Sequence, residues 1–198
     1  MNRRRRIPGQ PGGGMVLAFA LALLGLAALG EGPRLALRWE RMAWSAGQPW
    51  RLVAGHFVHF DLEHALLNVL GLLLVWVLFA ATFSLAQWVV IVLTAIATVD
   101  LGLWAVNVEL QWYLGLSGVL HAALAAGIVR RVIERDALAA LLGVLGLGKL
   151  LYEHLSGALP LLGPGMVVIT DAHLYGALAG MLCGAVLRPA EPAVRMPR

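Results

Sequence analysis

The sequence predicts an all-α membrane protein built as a bundle of six transmembrane helices. Three observations carry that expectation. The 198 residues are 60% hydrophobic with a mean hydropathy of +0.81, which excludes a soluble globular domain. Six apolar stretches, 15–30, 61–81, 85–106, 114–131, 137–156 and 167–187, approach the ~20 residues that a spanning helix needs. The arginines are sorted between the connections in a way that only a membrane topology requires.

The first stretch follows Arg3–Arg6. Together with Ala27-Ala28-Leu29-Gly30 it also has the form of a secretory signal peptide. A retained helix fits better, because it completes an even bundle with both basic ends on one side. The connection 31–60 mixes Trp39, Trp44 and Trp50 with Arg38, Arg41 and Arg51. That is the composition of a segment in the headgroup region, either an aromatic belt or a lateral wall beside a site. The fourth stretch ends at Arg130, Arg131 and Arg135, and the sixth is followed by Arg188, Arg195 and Arg198. With the N-terminal cluster these define the cytoplasmic face, so both termini lie inside. The layout is a basic tail over 1–14, one membrane domain over 15–187 and a C-terminal tail over 188–198. The arginines that raise the pI serve topology, so no nucleic-acid partner is expected; the lipid bilayer is. The sole cysteine, Cys183, excludes an intrachain disulfide.

With the N-terminus inside, the second, fourth and sixth stretches all begin on the outer face. His64 and Asn68, Ser117, and His173 each fall near one of those starts, within roughly 10 Å of the interface at 1.5 Å per residue. Gly176, Gly180 and Gly184 repeat a small-xxx-small pattern, as do Gly118, Ala122 and Ala126. Such faces let two helices approach closely, which would carry His173 to Ser117. A serine and a histidine in hydrogen-bond reach are a nucleophile and its general base. His64 and Asn68 share a helix face and offer N–H donors for an oxyanion. An isolated Asn at such a place is more often interhelical glue.

Trp50-Arg51, His59, His64 and Asn68, Gly115-Leu116-Ser117-Gly118, and Ala172-His173 with Gly176 and Gly180 resemble, in order and placement, the rhomboid intramembrane serine proteases. The likeness runs from about Trp50 to Gly184. It implies a six-helix rhomboid bundle, Ser117 as nucleophile, His173 as base, and His64 and Asn68 as oxyanion donors. His59 and Trp50-Arg51 match structural positions. No cofactor and no acidic third member are implied. Asp171, two residues from His173, would point elsewhere on a helix.

The string Gly115 to His121 is similar to the signature of rhombosortases, a bacterial branch. That likeness implies an inner-membrane enzyme with its site facing the periplasm. Its substrates would be membrane-anchored secreted proteins with a C-terminal Gly-Gly motif, a transmembrane segment and a basic tail. His121 is equally read as a polar residue packing beside the catalytic pair. Lys149 and Glu153, four residues apart in the fifth stretch, form an ion pair that Asp100 could join, since intramembrane charges pair or line cavities. With His121 they are also candidates for substrate binding.

Three alternatives stand beside the protease. A non-catalytic rhomboid-like binder of membrane helices, serving retention or quality control, would use the same fold, but such relatives usually lack the serine or the histidine. His56, His59 and His64 raise a zinc site, yet no His-Glu-x-x-His, paired cysteines or acidic array accompanies them, and no metal is expected. A transporter would show broken paired helices and an inverted repeat.

Overall fold

A computed structural model describes residues 12–158 and 168–188. Arg3–Arg6, Arg195, Arg198 and the start of the sixth stretch lie outside the described residues, and with them most of the two tails. Among the described residues there are eight helices and a two-stranded ladder.

Helix α1, Gly13–Ala28, is followed after Gly30 by the short α2, Glu31–Leu37. The two are bent by 109°, and Gly30, at φ 81°, takes a left-handed conformation that costs a glycine little. Strand β1, Trp39–Glu40, and helix α3, Trp50–Ala54, complete the connection. The longer helices are α4, Leu62–Phe79, and α5, Leu85–Ala105. Then come β2, Trp112–Tyr113, and helix α6, Ser117–Ile133. Helices α7, Ala137–Ser156, and α8, Thr170–Val186, end the series.

Helices α4, α5 and α7 are long and apolar enough to cross a membrane, and the bent pair α1–α2 would make a fourth. Helices α6 and α8 have 17 residues each, or about 25 Å. For α6 the shortness has a local cause. The fourth stretch was expected from 114, but residues 114–116 are not helical and the helix starts at the serine itself.

These two short helices form the closest contact of the bundle. A Cβ placed on Gly176 would collide with the carbonyl of Gly118, one on Gly180 with that of Ala122, and one on Gly184 with that of Ala126. The two small-residue faces are therefore pressed backbone to backbone, as the spacing predicts. Around them, Val69, Ala95, Ile96, Leu116 and Val119 form a core that α1 joins through Ala20 and Leu23. Many apolar side chains on α4, α5 and α7 point outward instead, among them Leu70, Leu93, Leu101, Val144 and Leu147. An apolar exterior is what lipid solvates and water does not.

The helix starts are capped by local chemistry. Asp61 accepts from the backbone N–H of His64, and Ser84 and Gln87 form a reciprocal capping box. Asp136 accepts from Leu138 and Ala139 N–H and pairs with Arg131 at 2.5 Å. Those backbone donors, with Arg131 beside them, hold its carboxyl below the usual carboxylate range. A depressed native pKa contributes stability that is present above the unfolded value of ~3.9 and lost as pH falls below it. Asp136→Ala is expected to lower stability by about 1 kcal/mol at pH 7, as loss of a cap does. The difference from wild type should shrink as pH is lowered below the unfolded value in thermal unfolding of detergent-solubilised protein; a difference independent of pH would refute the cap.

Candidate active site

The segment before α6 is pinned from three sides. Trp39 and Glu40 pair antiparallel with Tyr113 and Trp112. Gly115 donates its N–H to the carbonyl of Gly55 at 3.0 Å. The Tyr113 hydroxyl donates to the carbonyl of Gly115 at 2.8 Å, and burial pushes its pKa upward, so the proton stays in place. Gly115 has φ +117°, and a Cβ there would lie 2.9 Å from the His64 ring; both facts require glycine. Gly55 is equally constrained, since a Cβ would run into Trp39. The 31–60 connection thus serves as an anchor for the nucleophile segment. Arg51 braces it through the carbonyls of Leu35 and Arg38 and the side chain of Gln48.

Ser117 is the first residue of α6, where backbone N–H groups have no helical partner and the helix end is electropositive. His173 lies in the first turn of α8, one helical turn before Gly176. The α6–α8 contact puts Ser117 Oγ 2.9 Å from His173 Nε2. The imidazole is buried. Its other nitrogen, Nδ1, is 2.9 Å from Glu153 Oε2, which comes from the last turn of α7. Lys149 Nζ lies 2.7 Å from the same carboxylate oxygen and 2.9 Å from His121 Nε2. His121 Nδ1 is 2.7 Å from the carbonyl oxygen of Ser117. The His121 ring stacks on His173, centroids 4.1 Å apart and planes at 14°.

Donor chemistry fixes the protons of this ring. An ammonium only donates, so Nε2 of His121 accepts and its proton sits on Nδ1, facing a carbonyl that only accepts. A carboxylate also only accepts, so His173 carries its proton on Nδ1 toward Glu153. That leaves the Nε2 lone pair for the Ser117 hydroxyl.

On the opposite flank, His64 and Asn68 are buried on one face of α4. Asn68 Nδ2 donates to the His64 carbonyl at 2.9 Å, and its Oδ1 finds no partner among the described residues. His59 packs edge-on against His64 with centroids 5.2 Å apart. Burial first, then His64 beside it, lowers its pKa to about 3, so it is neutral at physiological pH.

Two expectations change. An acidic group does contact His173, contrary to the pattern implied by the resemblance; it is Glu153, brought from another helix. Asp100 does not join the Lys149–Glu153 pair. It lies 3.0 Å from Nε2 of buried His56, itself edge-on to Tyr113. His56, His59 and His64 form no three-ligand group among the described residues. The one convergent donor group among the described residues is His121, Glu153 and His173, within 4.8 Å of one another. There the Lys149 ammonium already bonds two of the three. Asp171 points away from the histidine, as expected, accepting from Asn107 Nδ2 at 2.5 Å.

A serine hydroxyl on an imidazole nitrogen, held between helices fit to cross a membrane, is the arrangement of a membrane-embedded serine hydrolase. The family model described as Rhomboid domain matches residues 46–190, and the chain belongs to the rhomboid family. Rhomboids are intramembrane serine proteases, and the chain is an integral membrane protein. Comparison with curated proteins gives no significant match.

Proposed function

We propose that this chain is an active intramembrane serine protease, with Ser117 and His173 as its catalytic pair. The observation that carries the reading is the 2.9 Å contact between Ser117 Oγ and His173 Nε2 in a rhomboid chain. Ser117 Oγ attacks the scissile carbonyl carbon while His173 Nε2 takes its proton. The oxyanion is met by the backbone N–H of Ser117 and by donors from His64 and Asn68. The C–N bond then breaks, His173 returns the proton to the leaving amine, and water hydrolyses the acyl-enzyme.

The finer reading is a rhombosortase. It rests on the Gly115–His121 string, with His121 stacked on the base. The substrates are membrane-anchored proteins ending in Gly-Gly, an apolar helix and a basic tail. In this reading the chain spans a bacterial inner membrane six times, with its site facing the periplasm and both termini in the cytoplasm.

The test is a secreted reporter carrying such a tail, co-expressed with wild type, Ser117→Ala or His173→Ala. Release by wild type alone supports both readings. If wild type leaves the reporter intact yet Ser117 reacts with a fluorophosphonate probe, the branch fails and the protease stands. No labelling of folded protein would favour the non-catalytic helix binder.

A further inference from the structure

The carboxylate behind His173 has no place in a two-residue mechanism. Glu153 is four residues, one turn, beyond Lys149 on α7, and its side chain is 3% exposed. A charge this deep is costly unless paired and hydrogen-bonded. Here it is both. Oε2 accepts from Lys149 Nζ at 2.7 Å and from His173 Nδ1 at 2.9 Å. Lys149, 33% exposed, is held in turn by His121 Nε2, and His121 by the Ser117 carbonyl. The chain of contacts closes on the nucleophile's own backbone. The buried oxygen Oε2 is shared by both donors, which ties the carboxylate to the imidazole.

We infer that Glu153 is a positioning residue that converts the Ser117–His173 pair into a Ser–His–Glu triad, with Lys149 and His121 holding it in place. This rests on the protease reading above. By accepting the Nδ1 proton, Glu153 selects the tautomer whose Nε2 lone pair faces Ser117. When Ser117 Oγ bonds to the carbonyl carbon and its proton passes to Nε2, the ring becomes an imidazolium with a carboxylate already hydrogen-bonded to its far side. The proton on Nδ1 stays there; Glu153 orients and neutralises without taking it. Lys149 keeps the resting pair neutral overall, so the carboxylate persists at low dielectric. His121 covers the face of the imidazole and stops it from turning.

The test is fluorophosphonate labelling of Ser117 in purified, detergent-solubilised full-length protein, with KI and kinact measured separately. Glu153→Gln is expected to lower kinact about 100- to 10,000-fold, the range general-base catalysis contributes, with KI unchanged. Glu153→Asp, which keeps the charge but withdraws it by one methylene, should recover part of the loss. A stranded Lys149 charge could prevent Glu153→Gln from folding. The double variant Lys149→Met/Glu153→Gln removes both charges together and should show the same fall. A folded variant labelling at the wild-type kinact overturns the triad while leaving the protease intact. A rise in KI alone overturns it in favour of a substrate contact. Folded wild type that does not label at all overturns the protease reading, and the triad with it.

Discussion

Ser117→Ala and His173→Ala are each expected to lower kcat/KM for a cleaved substrate by about 1,000-fold or more, and the double variant to be no worse than either. The non-additivity follows from geometry. The imidazole nitrogen facing Ser117 has no other hydrogen-bonding partner among the described residues, and a base without its nucleophile has nothing to deprotonate. Two independent contributions would multiply instead. Steady-state cleavage in liposomes, with accumulation of each variant checked, measures this directly. Either single variant retaining a tenth of the wild-type rate would exclude the proposed chemistry.

Gly176→Ala should be nearly as damaging to catalysis although it adds only one methyl group, one turn from His173. Its Cβ has no room against the Gly118 carbonyl. The two helices must separate, and overpacking of this kind costs about 1–3 kcal/mol. The same separation pulls His173 from Ser117, where a shift of ~1 Å can cost about 100-fold in rate. Gly146→Ala on α7 is the control, because a Cβ there meets nothing within 4 Å. It should keep full activity and gain slightly in stability, as Gly to Ala does inside a helix. Thermal unfolding and reporter cleavage on the same preparations distinguish the two. Equal activity in both variants would mean that the α6–α8 contact does not set the site.

That contact was legible in the sequence because its cause is local. Glycines and alanines four apart declare a close-approach face, and the histidine one turn before Gly176 declares what the face presents. Four of the long helices also follow their apolar runs closely; α7 coincides with the expected 137–156. Glu153 was legible as half of an ion pair, since i, i+4 spacing makes the pair without reference to anything else. Its other partner was not. A helix largely covered by apolar side chains gives no sign of which way its polar stripe turns, and the stripe of α7 turns toward α8. His56 and Asp100 failed for the same reason in reverse. Both were noticed as costly charges or ligands, but their meeting depends on how the outer connection folds back onto α5. The left-handed backbone at Gly115, and the tyrosine that holds it, belong to a short irregular segment with no periodicity to read.

The two-residue ladder between Trp39–Glu40 and Trp112–Tyr113 ties the 31–60 connection to the chain immediately ahead of the nucleophile. With the Gly55–Gly115 and Arg41–Gln111 backbone bonds it has no independent way to open. This strap and the serine are therefore expected to open as one cooperative unit, with their amide hydrogens exchanging together. Exposed Trp44 and Trp50 sit on that strap. Anything bound at those two side chains would therefore act on the register of the serine.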